Sequence, residues 1–111
     1  MDLDAHHGDG VEAAFRQSGR VTTLSFHVFE PGFFPGTDGW RSQGGRGVWN
    51  VPLEMGMKGV VWEGIVRRCV EWIWELDEPE CLVVQCGCDG PQPTQLPPFR
   101  SFRGEVRSCS N

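Results

Sequence analysis

The densest chemistry in this sequence lies in residues 2–9, DLDAHHGD, where Asp2, Asp4 and Asp9 surround the pair His6 and His7. Asp4 and His6 are two positions apart. On extended backbone such residues project to the same side, so one carboxylate and one imidazole can reach the same ion. A further carboxylate, Asp89, follows the apolar run CLVVQCG. If that run is a neighbouring strand, Asp89 arrives at the same strand end as a third donor. One ring nitrogen and two carboxylates suit a catalytic zinc or iron that keeps a position open for water. By spacing alone the same residues also read as a solvated surface pair, and both readings stand.

The elements that would have to position these groups are short. GVEAAFRQSG has the spacing of one or two helical turns, with Val11, Ala14, Phe15 and Ser18 on one face and Gly19 as the stop. RVTTLSFHVF, rich in β-branched and aromatic residues, reads as a strand, and VWNVPL as a second, shorter one. Residues 31–47 are broken by Gly and Pro throughout and read as a loop. Trp62, Ile65, Val66, Cys69, Ile73 and Leu76 recur at helical spacing, which predicts a long amphipathic helix from Lys58 to Leu76, closed by Pro79. CLVVQCG is apolar almost without interruption, the pattern of a strand buried on both faces. That burial makes Cys86 and Cys88 inert core thiols rather than ligands or a redox pair.

Strands alternating with helices predict an α/β fold with a mainly parallel sheet, in which ligands bind at the carboxyl ends of the strands. With 111 residues there is room for one small domain. A formal charge of −5 gives no general attraction to nucleic acid, and no apolar run is long enough for a membrane-spanning helix. The five cysteines are irregularly spaced, which fits a reducing compartment better than a disulfide frame. His27 reads as a packed or surface histidine, RSQGGRG as a solvated loop, and Trp62, Trp72 and Trp74 as mostly core.

Taken together, DLDAHHGDGVEAAF, VTTLSFHVFEPGFFPGT, NVPL and LVVQCGCDG, in that order, resemble the zinc-dependent histone deacetylases, above all their class I-like members. The resemblance covers roughly residues 2–37 and 48–90 and implies the arginase/deacetylase fold, a parallel sheet between helices. It divides the chain into a partial catalytic domain over 1–90 and a divergent, disordered tail over 91–111. It implies zinc ligands at Asp4, His6 and Asp89. Asp2 and Asp9 would orient the two histidines of a catalytic dyad, which His6 and His7 are not. A structural potassium ion would take the carbonyls of Asp2, Asp4, His6 and Phe26 with the hydroxyl of Ser25. A second would take the carbonyls of Phe15, Ser18 and Val21. Gly32, Phe33 and Phe34 would line the passage for an acetyl-lysine chain.

The activity so implied is metal-assisted hydrolysis of the acetyl-lysine amide in histone tails or other proteins, in the nucleus or also the cytoplasm, with a corepressor complex as partner. A histidine would take the proton of the attacking water and a tyrosine would stabilise the oxyanion. Here the sequence departs from the pattern, because it contains no tyrosine and no dyad. Met1 stands where the family's leading strand would be, and proline-rich sequence follows Gly90. The expectation is therefore a chain that opens inside a domain and is inactive by itself. The alternatives are a non-catalytic binding or decoy fragment and an acetylpolyamine amidohydrolase relative.

Overall fold

The structure is a computed structural model and describes residues 1–36 and 47–87. Its elements run α1 (Asp9–Phe15), β1 (Thr23–Val28), β2 (Val48–Leu53) and α2 (Gly59–Asp77), the α/β order expected. The β-branched and aromatic residues of β1 and β2 pair in parallel, from Thr23 opposite Val48 to Val28 opposite Leu53. Residues 1–3 extend this sheet on the other side of β1. The N–H of Asp2 donates to Leu24 and its carbonyl accepts from Phe26, while Leu3 and Met1 turn their groups the opposite way, toward Gln85. Parallel bridges from Asp2 to both Ser25 and Gln85 result. The order across the described sheet is β2, β1, residues 1–3, residues 83–85.

The core lies between this sheet and α2. Leu3, Leu24, Phe26 and Leu53 from the sheet side meet Trp62, Val66, Val70 and Ile73 of the helix. Each such side chain contributes about 1.5–3 kcal/mol by leaving water. The helix ends where the chain turns left-handed at Glu78, whose N–H caps the carbonyl of Trp74, just before Pro79. Thr22 Oγ1 donates to Asp77 Oδ2 at 2.6 Å and fastens that end beside the start of β1.

Several expectations are corrected. Leu76 lies on the exposed side of α2, and Val70 is buried in the core. In α1 the apolar face points outward: Val11 and Phe15 are exposed and the buried residue is Glu12. The helix also stops at Phe15, well before Gly19. The largest departure is residues 81–86, which are exposed rather than buried on both faces, with Val83 75% accessible. Among the described residues only the side toward Met1–Leu3 is paired, and no described element covers the faces. Cys86 is accordingly an exposed thiol.

Candidate metal centre

The loop between residues 3 and 9 is shaped by its own acids. Asp2 Oδ1 accepts the N–H of Asp4 at 3.0 Å, and Asp4 Oδ1 accepts the N–H of His6 at 2.8 Å. Each carboxylate thus fixes the backbone two residues on, a turn that aspartate makes readily. Ala5 is buried and its carbonyl accepts the N–H of Val28, anchoring the loop to the carboxyl end of β1. A Cβ on Gly8 would come within 2.7 Å of Asp2 Oδ2, so a larger residue there would have to displace that carboxylate.

This geometry brings His6 Nδ1 to 3.0 Å from Asp4 Oδ1. Two donors about 2.0–2.1 Å from one tetrahedral ion stand roughly 3.3 Å apart, so the spacing of the pair is compatible with one such ion. His6 is 47% exposed and Asp4 about half as much, leaving the pair accessible. The ring of His6 lies nearly parallel to that of Phe33, with centroids 5.1 Å apart, and Phe34 is tilted against it at 6.1 Å. Gly32, with φ of +84°, turns the chain that carries these two aromatic rings. The other wall is Gly87. A Cβ there would collide with the Asp4 carboxylate, so the end of the 81–87 segment runs directly against Asp4.

Asp89, two residues further on, lies outside the described residues, as do Cys88 and the 91–111 tail. Among the described residues no group of three metal-binding side chains forms. Asp9 is an exposed residue in the first turn of α1, and Asp2 has its carboxylate against Gly8. The Ser25 hydroxyl is buried and accepts the N–H of Gly8 at 3.1 Å, which places it under the loop. The carbonyls of Asp2 and Phe15 each accept a backbone N–H, from Phe26 and Ser18.

Beneath the loop is a polar network that local sequence patterns do not reveal. His7 Nε2 faces Glu12 Oε2 at 2.9 Å and Asn50 Oδ1 at 3.0 Å. Both are acceptors, so Nε2 carries the proton. Asn50 Nδ2 and Arg16 Nη2 each donate to Glu12 at 2.8 Å. Burial alone would raise the pKa of the Glu12 carboxyl, but the hydrogen bonds from Asn50, Arg16 and His7 outweigh it and hold the pKa below the ordinary range. The ring of His27, 1% exposed, packs at 4.4 Å from that of His7, and its Nδ1 meets Ser25 Oγ at 3.1 Å. The network joins the loop, α1, β1 and β2 in one buried unit. The one signal that could have announced it is Glu12, a charge at the inward position of a short helix.

Comparison with known proteins places these features in context. The histone deacetylase domain model matches residues 1–99. Histone deacetylase HOS1 of Saccharomyces cerevisiae is 45% identical over 91 residues, covering 81% of this chain and 19% of the relative. Histone deacetylase 6 of Arabidopsis thaliana is 44% identical over 93 residues, with 80% and 20% covered. Histone deacetylase 8 of Danio rerio is 42% identical over 93 residues, with 80% and 25% covered. The chain spans about a fifth to a quarter of the length of these relatives.

Proposed function

Because this chain belongs to the histone deacetylase family, we propose that residues 2–9 are the carboxylate–histidine half of a zinc-dependent site for hydrolysis of acetyl-lysine amides. The observation that carries this reading is the 3.0 Å approach of His6 Nδ1 to Asp4 Oδ1 at the carboxyl end of a parallel sheet. Asp4 and His6 hold the metal, with Asp89 as the third ligand from the end of the neighbouring segment. When bound, zinc supplies a Lewis acid for the amide carbonyl and acidifies a water.

The rest is done by the chain's own groups. Asp2 holds the N–H of Asp4 and so fixes the direction from which the first ligand arrives. Phe33 stacks on His6 and restrains the plane of the second ligand's ring. Phe34 and Gly32 offer an apolar wall for the methylene stem of a lysine. Ser25 and the loop carbonyls suit a hard cation such as potassium. In the cell the substrates are acetylated histone tails or other proteins, in the nucleus, beside corepressor partners.

The sequence contains no tyrosine, and this favours a second reading, in which the chain binds metal but does not turn over substrate. One titration separates the readings from a solvated surface pair. Zinc added to the purified chain should bind at one equivalent, and Asp4→Asn or His6→Ala should each weaken binding tenfold or more. Equal binding by both variants would remove the site. A fluorogenic acetyl-lysine peptide tests turnover. The expected result is none above an Asp89→Ala control, and zinc-dependent turnover would overturn the second reading.

A further inference from the structure

His6 and His7 are chain neighbours that face opposite ways. The His6 side chain is 47% exposed and meets Asp4, while His7 is buried beneath the loop. They share one stretch of backbone, so whatever fixes the His7 ring also fixes the side on which His6 emerges. The contact between His6 and Asp4 does little of this fixing, because a solvent-accessible pair of that kind is weak. The His7 ring is held out of water and by one nitrogen. Its Nε2 donates to Glu12 Oε2 at 2.9 Å and to Asn50 Oδ1 at 3.0 Å. Among the described residues its Nδ1 has no hydrogen-bond partner. Glu12 also reaches the loop through its main chain, since its N–H donates to the carbonyl of Gly8 at 2.9 Å. It therefore holds residues 7 and 8 twice, once by the ring and once by the backbone.

We propose that Glu12 is a positioning residue for the metal pair: by anchoring the His7 ring it sets the direction in which His6 leaves the loop. This rests on the reading of Asp4 and His6 as zinc ligands. What the role requires is a buried acceptor. Glu12 Oε2 takes the N–H groups of both His7 and Asn50, whereas Oε1 takes Arg16, whose side chain is 42% exposed and can turn to water. A glutamine can place its carbonyl oxygen where Oε2 stands and its amide on the side of Arg16. A leucine fills similar space and accepts nothing, so the His7 N–H is left to Asn50 alone. The ring then loses one of its two anchors, and the direction of His6 is no longer fixed.

Zinc affinity and amide protection test this on the same purified chain. Glu12→Leu should weaken zinc binding about tenfold, the low end of the loss when a ligand's outer partner is removed, and Glu12→Gln should stay within about threefold of the parent. The folded fraction of each variant, from circular dichroism in urea, is divided out, because unfolded chain lowers the apparent affinity only in that proportion. Hydrogen exchange in the metal-free chain reads the loop directly. The N–H of His6, bonded to Asp4, and that of Gly8, bonded to Ser25, should lose protection about tenfold in Glu12→Leu and regain it in Glu12→Gln. If Glu12→Leu does not fold, Asn50→Ala removes the other acceptor of His7 Nε2 and should move both measurements the same way. A parent chain that binds no zinc would end the metal reading and leave the exchange measurement to decide the positioning. Zinc affinity of Glu12→Leu within about threefold of the parent would overturn the proposal. So would protection lost only at core amides such as Phe26, or a Glu12→Gln chain as impaired as Glu12→Leu.

Discussion

The strand β1 and the segment 81–86 are built of similar residues and meet opposite fates. TLSFHV is buried almost throughout, with Phe26 and His27 each 1% exposed. CLVVQC is at least as apolar and is exposed at every position. What separates them is their neighbours. β1 is flanked by β2 and by residues 1–3, with α2 packed over one face. The polar loop and its network complete its surroundings. Among the described residues, the 81–86 segment has a partner on one edge only. Burial is thus conferred by what surrounds a strand, and an apolar run states only what a strand is able to bury.

The sharpest way to break the contrast is at its deepest point. Phe26→Ala removes the most buried large apolar side chain and leaves a cavity between the sheet and α2. It should cost about 3–5 kcal/mol, enough to leave a small domain largely unfolded. Urea denaturation followed by tryptophan fluorescence reads this directly, through Trp62 in the same core. Retention of the parent midpoint would mean that β1 is no more buried in solution than residues 81–86.

The polar side of β1 should respond next. Glu12→Ala strands the N–H groups of His7, Asn50 and Arg16 that converge on it, at about 1–3 kcal/mol. The same site sets an acid response. The Glu12 pKa is lowered from its ordinary 4.5 in the folded chain, so the unfolded state binds its proton more readily. The stabilisation is complete above the ordinary value and is lost as pH falls from about 4.5 through the lower folded value. Glu12→Gln should flatten that part of the stability–pH curve, and an unchanged slope would place Glu12 outside the network.

How far the sequence carried can be judged from these residues. The helix α2 was legible almost to its ends, because a 3.6-residue period of large apolar groups has one reading and Pro79 ends it. Asp4 and His6 do meet, but through a turn at residues 4–6 rather than along the extended backbone that the i, i+2 argument assumed. The inward turn of Glu12 was not legible, because periodicity counts apolar residues and this helix is held by a carboxylate. Nor was the contact between His7 and Asn50, which are 43 residues apart and meet only once β2 lies beside β1. The exposure of residues 81–86 was misread for the reason already given: composition reports capacity for burial, not neighbours.

A smaller effect is expected at Gly8, in the loop that packs against Asp2 and Ser25. Gly8→Ala would press a methyl group against Asp2 Oδ2, and the short Asp2 side chain also holds Asp4. The expected cost is about 1 kcal/mol or more in stability, with weaker zinc binding as the loop shifts. Full affinity in Gly8→Ala would show that the metal pair does not depend on the Asp2 turn.

The smallest effect belongs to the exposed segment. Val83 is the most open residue of the run, and its link to the fold is a backbone one, the 2.8 Å hydrogen bond from the Met1 amine to its carbonyl. Val83→Ser leaves that bond in place and removes little apolar surface from contact with protein. Stability should change by no more than about 0.5 kcal/mol. The comparison with Phe26→Ala is then between two changes in parallel, apolar strands, differing several-fold in cost because one strand is enclosed and the other is not. A loss above about 2 kcal/mol in Val83→Ser, measured in the same urea titration, would mean that the segment is covered in solution, and the difference drawn between the two strands would disappear.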